Sequence, residues 1–160
     1  MSLSPIKIGD TLPSFIVKNE RGEEVDVKEI TAEKGAVFFT IPKVDTGGCT
    51  TQACGFRDIY PDFSGDNFEV YCLSADQPSA ALKWQLAQRE FPYPLLSDPD
   101  RTLIEALGAK GDTGKTTRGH FVFAPGGKLM DVQLPVTPKD SPTLALAFVQ
   151  KYNSEQKSAL

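Results

Sequence analysis

A chain of 160 residues with 40% hydrophobic and 24% charged side chains is long enough to bury a core, and this composition excludes wholesale disorder. The formal net charge is −4 and no run of Lys or Arg exceeds two residues, which argues against a nucleic-acid-binding protein. The apolar runs are the length of strands, and none approaches the roughly 18 residues that would indicate a membrane span.

The first predicted elements are a hairpin and a buried strand. Residues 15–18 and 25–27 flank the polar turn Asn19-Glu-Arg-Gly22, a pattern typical of a hairpin. Residues 36–41 form a continuous apolar run ended by Pro42, which indicates a strand buried on both faces. Residues 68–73 form a second such run.

Between these two strands the sequence predicts a helix. Its apolar residues recur at helical spacing and define one core face: Cys49, Ala53, Phe56, Tyr60 and Phe63. Pro61 lies inside this pattern and is expected to kink or interrupt the helix.

The second half predicts three more helices and a further hairpin. One helix places Pro78 in its first turn and Ala80, Trp84, Ala87 and Phe91 on one face. A short helix follows over residues 100–107 and ends at Gly108. Residues 120–123 and 129–133 straddle Pro125-Gly-Gly127 as a hairpin, and a last helix, capped by Ser141 or Thr143, carries Leu144, Phe148 and Tyr152.

This order of elements predicts a single domain over residues 1–160. Alternating strands and helices followed by an antiparallel pair indicate an α/β fold with a mixed sheet and helices on both faces. A thioredoxin-like sandwich has this order of elements, and other small α/β folds share it.

The segment with the clearest chemical content surrounds Cys49. A Gly47-Gly48 loop at the end of a buried strand precedes this cysteine, and the predicted helix begins there. A helix N-terminus stabilises a thiolate, which is the nucleophilic form of cysteine. Cys54 follows five residues later. A lone intracellular cysteine is usually a small buried apolar residue, but the second cysteine and the glycine loop favour a functional site.

The motif Pro42-x-x-x-Thr46-x-x-Cys49 resembles the active-site pattern of the peroxiredoxins. The Cys49-x-x-x-x-Cys54 spacing followed by Phe-Arg-Asp58 is similar to the peroxiredoxin Q, or bacterioferritin-comigratory, subfamily. Further matches are Leu73-Ser-Ala-Asp76, Pro94-Leu-Leu-Ser-Asp98 and Arg118-Gly-His-Phe-Val-Phe123, so that the resemblance extends from about residue 9 to 148. Details around Cys54 and His120 resemble the fungal nuclear thiol peroxidases. Gly47 stands where the family usually has proline, which predicts a more flexible active-site loop.

The resemblance implies a role for each matching residue. Cys49 would attack the peroxide and become a sulfenic acid. The Thr46 hydroxyl would hydrogen-bond the thiolate and the peroxide, Pro42 would shield the pocket from water, and Arg118 would pair with the thiolate. Cys54 would resolve the sulfenic acid as an intramolecular disulfide, which a thioredoxin-like dithiol would reduce. No cofactor or metal is implied, and a monomer is expected because both cysteines lie in one chain.

Helix geometry adds a prediction about the two cysteines. On an α-helix, residues five apart have Cα atoms about 8.7 Å apart, whereas a disulfide needs roughly 4.4–6.8 Å. The start of the helix must therefore unwind before Cys49 and Cys54 can be joined.

Other interpretations of the sequence remain open. A thioredoxin-like copper carrier would use two cysteines and a distant histidine, a general disulfide reductase would have Cys-x-x-Cys, and a non-enzymatic redox-sensing or interaction module could retain the fold. Cys72 is interpreted as a buried structural residue, and His120 as a satisfied structural residue on a strand. Three cysteines without an apolar N-terminal segment predict a reducing compartment, the cytoplasm, with the nucleus as a further location.

Overall fold

The computed structural model describes residues 5–44, 46–87 and 91–158. These residues contain seven strands and five helices. The strands are β1 (Ile16–Lys18), β2 (Glu24–Asp26), β3 (Gly35–Thr40), β4 (Phe68–Ser74), β5 (Leu95–Ser97), β6 (Gly119–Ala124) and β7 (Lys128–Gln133). The helices are α1 (Val27–Ile30), α2 (Gly47–Gly65), α3 (Pro78–Ala87), α4 (Thr102–Ala106) and α5 (Asp140–Ser158).

The strands form one mixed sheet in the order β2-β1-β5-β4-β3-β6-β7. Strands β3, β4 and β5 are parallel, and the two outer pairs on either side are antiparallel. Strand β3 pairs on both sides and is buried at every position, which explains its unbroken apolar run. The expected mixed sheet is confirmed.

Two apolar cores lie on opposite faces of the sheet. Successive side chains of a strand point to opposite faces, and Phe39 accordingly packs with α2, α3 and α5, whereas Phe38 packs with α1 and α4. The thioredoxin-like sandwich with helices on both faces is therefore confirmed. Within the described ranges, no helix combines the length and the apolar character needed to cross a bilayer.

The sequence patterns do not predict two short elements, α1 and β5. Helix α1 has four residues, and the Asp26 carboxylate caps it by accepting from the Lys28 amide. Strand β5 has three residues and is defined by its pairing with β4 and with β1, where Lys18 lies opposite Ser97. Elements this short have no internal period to detect, so long-range pairing and local capping determine them.

The expected interruption of α2 at Pro61 is wrong. The helix continues through Pro61 to Gly65. A proline removes a single backbone hydrogen bond, and the fully buried rings of Phe56 and Phe63 hold the helix against the sheet on either side of Pro61.

The predicted core faces of α3 and α5 need correction. In α3, Trp84 is buried but Ala87 is exposed, and Phe91 lies beyond the helix. In α5, Phe148 and Tyr152 pack against the core as predicted, but Leu144 is 46% exposed, and the fully buried residues are Ala145 and Val149.

The predicted caps of α5 are also wrong. The hydroxyl of Thr137 accepts from the amide of Asp140, where the helix begins. Thr143 donates its hydroxyl to the carbonyl of Asp140, and Ser141 is buried with side-chain partners on other elements. The short helix α4 does end as predicted, because Gly108 follows it with φ of +83°.

Candidate active site

Cys49 lies in the first turn of α2, directly after the loop that leaves the carboxyl end of β3. The first amides of a helix have no acceptor within the helix, and the helix dipole adds positive potential there. Thr46 occupies the N-cap position without a side-chain cap bond, and the first turn contains no acidic residue. This end of α2 therefore favours an anion at the Cys49 sulfur.

Arg118 supplies a full positive charge to the same sulfur. Its Nη2 atom donates to Cys49 Sγ at 3.5 Å. Arg118 immediately precedes β6, whose first residue, Gly119, pairs with Thr40 at the end of β3. The Thr40 hydroxyl also donates to the carbonyl of Thr117 at 2.8 Å. Sheet pairing thus places a residue 69 positions later in the chain beside Cys49.

Gln52 fixes the other side of the Arg118 guanidinium. Arg118 Nη1 donates to Gln52 Oε1 at 2.9 Å, and Gln52 is fully buried. A Cβ atom at Gly48 would lie 3.0 Å from Arg118 Nη2, so the glycine gives the guanidinium room to approach the helix. The sequence motifs do not identify Gln52 as a site residue, although a residue three positions after Cys49 lies on the same helix face.

The polar contacts continue from Gln52 into the core. Gln52 Nε2 donates to Ser141 Oγ at 3.0 Å, and Ser141 Oγ lies 2.8 Å from His120 Nδ1. Ser141 and His120 are fully buried. Among the described residues, His120 Nε2 has no hydrogen-bond partner, so the histidine is satisfied at one nitrogen only. Burial lowers the pKa of His120 to about 4, and the ring is therefore neutral near pH 7.

Thr46 and Pro42 are both exposed. The hydrogen bond of the Thr46 hydroxyl runs to the carbonyl of Lys43 at 3.0 Å rather than to Cys49. Thr46 immediately precedes α2, in which Cys49 occupies the first turn. Pro42 follows Ile41, a fully buried residue that comes directly after β3.

Cys54 lies on the same helix as Cys49, and both thiols are free. Cys49 is 1% exposed and Cys54 is half-buried. Two contacts hold the intervening turns against the rest of the protein. Trp84 Nε1 donates to Thr50 Oγ1 at 3.3 Å, and the Tyr93 hydroxyl donates to the carbonyl of Ala53 at 2.5 Å.

Cys72 is buried in β4, as predicted. Desolvation raises the pKa of the Cys72 thiol well above its ordinary value. The thiol is therefore protonated, and it is not a nucleophile in the folded protein.

The chain is similar in sequence and in fold to several known proteins. Residues 8–132 match the AhpC/TSA family. Peroxiredoxin bcp1 of Schizosaccharomyces pombe is 42% identical over 148 residues, covering 91% of this chain and 75% of the relative. Peroxiredoxin Bcp of Escherichia coli is 33% identical over 138 residues, covering 81% and 86%. The crystal structure of the peroxidoxin BcpB of Mycobacterium tuberculosis superposes with a TM-score of 0.84 at 29% identity, covering 91% of this chain and 97% of that chain.

The chain therefore belongs to the AhpC/TSA family and is a peroxiredoxin. It is a thiol peroxidase, of the Bcp or peroxiredoxin Q kind that its motifs indicate. Its assignment to the fungal nuclear branch stays a prediction.

The buried histidine predicts a loss of stability in acid. The pKa of His120 is about 4 in the folded protein and 6.5 for an ordinary histidine, so between these values the unfolded chain binds more protons. The free energy of unfolding should therefore fall as the pH drops from about 6.5 to about 4, by on the order of 3 kcal/mol from this residue. Denaturant unfolding across this pH range measures the effect.

His120→Asn provides the matched comparison, because His120 is the only histidine. Asparagine does not titrate, so the acid-dependent loss should shrink by that amount. Burial also raises the pKa of Asp98 and Asp131, but both carboxyl groups are present in the two proteins and cancel in the difference. Identical pH dependence in the two proteins would contradict the prediction.

Proposed function

We propose that Cys49 is the residue of this peroxiredoxin that reacts with the peroxide. The observation that supports it best is the contact between Arg118 Nη2 and Cys49 Sγ at the N-terminus of α2. The thiolate attacks one oxygen of a hydroperoxide and the O–O bond breaks. Cys49 becomes a sulfenic acid, and the departing oxygen takes a proton and leaves as water or an alcohol.

Arg118 stabilises the transition state of this step. Negative charge spreads from sulfur onto two oxygens as the bond breaks, and donors that already face that charge usually contribute more to catalysis than any other single effect. The guanidinium stays protonated and offers several donors in a fixed plane. Its anchorage on Gln52 leaves Nη2 directed at the sulfur.

Thr46 and Pro42 complete the proposed pocket. The Thr46 hydroxyl donates to Lys43 in the resting enzyme, so its oxygen lone pairs are available to accept from the peroxide hydroxyl. Pro42 limits the approach of water from the loop side. The roles of both residues rest on their match to the peroxiredoxin motif.

Cys54 is the proposed resolving residue. Its thiolate attacks the Cys49 sulfenic sulfur, the S–O bond breaks as the disulfide forms, and the departing hydroxide takes up a proton from solvent and leaves as water. Because the two residues share helix α2, its first turns must unwind. Unwinding breaks the Trp84–Thr50 contact, and it should change the fluorescence of Trp84, the one tryptophan in the sequence.

Reduction of the disulfide returns the enzyme to its starting state. A thioredoxin-like dithiol supplies two electrons by thiol exchange and becomes a disulfide itself. We propose that the protein acts as a monomeric single domain on hydrogen peroxide and alkyl hydroperoxides, in the cytoplasm and the nucleus. Both cysteines lie in one chain, so catalysis does not require a second subunit.

The test is consumption of hydrogen peroxide and of an alkyl hydroperoxide by the purified protein, coupled to thioredoxin and its reductase. We expect turnover with both substrates. A wild-type protein that consumes neither would overturn the proposal.

Copper binding by the reduced protein is the second candidate, because two cysteines and a histidine occur in one thioredoxin-like fold. In the structure, His120 lies in β6 with Nδ1 on Ser141, and the described residues contain no group of three or more potential metal ligands. Stoichiometric copper binding by a protein without peroxidase activity would favour this candidate.

Replacing Cys54 by serine should separate oxidation from recycling. The first oxidation of Cys49 by peroxide should proceed at close to the wild-type rate, whereas turnover with thioredoxin should fall to about a few per cent or less, because no resolving thiolate is present. Trapping of the Cys49 sulfenic acid with dimedone over time measures the first step, and peroxide consumption coupled to thioredoxin and its reductase measures the second.

Cys72→Ser is the matched control, since it also removes one of the three cysteines. It should form the Cys49–Cys54 disulfide and turn over. Recycling that stops in Cys72→Ser and continues in Cys54→Ser would show that Cys72 resolves the sulfenic acid.

A further inference from the structure

A continuous chain of hydrogen bonds leads from the reacting sulfur into the core of the protein. It runs from Cys49 to Arg118, Gln52, Ser141 and His120, and it joins α2, α5 and the start of β6. We propose that Ser141, held by His120, is a positioning residue for peroxide reduction, because it fixes the amide of Gln52 and thereby the Arg118 guanidinium. This inference rests on the proposed roles of Cys49 and Arg118.

The Gln52 amide works only in one orientation. Its oxygen accepts from Arg118, and its nitrogen donates to Ser141. A flipped amide would direct its NH₂ group at the guanidinium, so that donors would face each other without an acceptor between them. The acceptor at Ser141 Oγ therefore selects the orientation that supports Arg118.

His120 makes Ser141 an acceptor. A serine hydroxyl has one proton and two lone pairs. When the neutral ring carries its proton on Nε2, Nδ1 accepts a hydrogen bond from the Ser141 hydroxyl. The lone pairs of the serine oxygen are then available to accept a hydrogen bond from Gln52. We assign this tautomer from the hydrogen-bond network. The buried Nε2, which lacks a partner among the described residues, is the cost of this arrangement.

Because its inner members are buried, the chain of hydrogen bonds can fix the position of the Arg118 guanidinium. Gln52, Ser141 and His120 are each fully buried, so water cannot replace a lost partner. Arg118 is half-buried, and its long side chain would otherwise sample several rotamers. The anchor on Gln52 keeps Nη2 beside Cys49 before the peroxide arrives, which is the preorganisation that transition-state stabilisation requires.

The experiment uses Ser141→Ala and compares two reactions of Cys49. One is oxidation by hydrogen peroxide in a single turnover, and the other is alkylation by iodoacetamide. Both need the thiolate and access to the sulfur, but only the peroxide reaction develops negative charge on oxygen. The ratio of the two rate constants therefore cancels changes in ionisation and in access, and it reports on the placement of Arg118.

We expect the ratio to fall about tenfold in Ser141→Ala, the size of one lost hydrogen bond in a buried network. Ser97→Ala is the matched control, because Ser97 is a buried serine on β5 whose hydroxyl has no partner in the described residues. Its ratio should equal that of the wild type. Thermal unfolding of both variants checks that each is folded during the assay.

A double variant tests whether Ser141 acts through Arg118. In an Arg118→Gln background, Ser141→Ala should lower the ratio no further, since the group that it positions is already absent. The inference would be overturned if Ser141→Ala left the ratio of the two rate constants at its wild-type value. It would also be overturned if Ser141→Ala lowered the ratio in the Arg118→Gln background by the same factor as in the wild type. Absence of Cys49 oxidation in the wild type would instead overturn the proposed function, and the inference with it.

Discussion

Replacing Cys49 by serine should reduce peroxide consumption to the level of a control without protein. The serine hydroxyl is not ionised near neutral pH and cannot form a sulfenic acid, so neither the helix N-terminus nor Arg118 has a nucleophile to stabilise. Coupled turnover with thioredoxin and single-turnover oxidation should both be lost. This is the largest effect that we expect from any single substitution.

Cys72→Ala serves as the control for the loss of a buried thiol. Cys49 and Cys72 belong to the same apolar core and are each 1% exposed, and Arg118 donates its hydrogen bond to Cys49. Cys72→Ala should retain peroxidase activity and lose some stability from the cavity. Full activity in Cys49→Ser, or loss of the first oxidation step in Cys72→Ala, would assign the reacting sulfur to a different residue.

Replacing Arg118 by glutamine should lower the rate constant for Cys49 oxidation by about 10²–10³-fold, the usual effect of removing one preorganised donor from a charge-developing transition state. Arg118→Lys should recover only part of the rate, because an ammonium group cannot contact Cys49 and Gln52 together in the planar geometry of the guanidinium. Stopped-flow oxidation by hydrogen peroxide under single-turnover conditions measures both variants.

Arg21→Gln makes the same change in net charge at an exposed turn between β1 and β2. It should leave the rate constant within about twofold of the wild type, since exposed charges are strongly screened by solvent and salt. An equal loss in both variants would mean that overall charge, rather than the contact with Cys49, controls the rate.

Local sequence patterns predicted most of the fold. The apolar runs of β3 and β4, the hairpin turns and the helical spacing around Cys49 each identify an element that the structure contains. They succeed because burial on both faces of a central strand, or on one face of a helix, leaves a periodic signal in the sequence. The short elements α1 and β5 and the first residue of α5 depend on capping and long-range pairing, which leave no such signal.

The residues of the candidate site also fall into two groups, those identified by local sequence and those placed by tertiary structure. The sequence identifies Cys49 at a helix N-terminus from its local context, and the motif with Pro42 and Thr46 also lies within one segment. Arg118 has no local feature that separates it from a surface arginine, so only family resemblance identified it. Its position beside Cys49 results from the pairing of β3 with β6.

The amino-acid sequence by itself indicated the class of fold, the family and the cysteine that we propose to react, because each rests on local patterns and motifs that are visible along the chain. Only the tertiary structure decided what surrounds that cysteine. Gln52, Ser141 and His120 come from α2, α5 and β6, and the contact of Gln52 and His120 with Ser141 forms when α5 packs against α2 and the sheet. Hydrogen bonds between elements require specific distances and orientations in space, and spacing along the chain does not encode them.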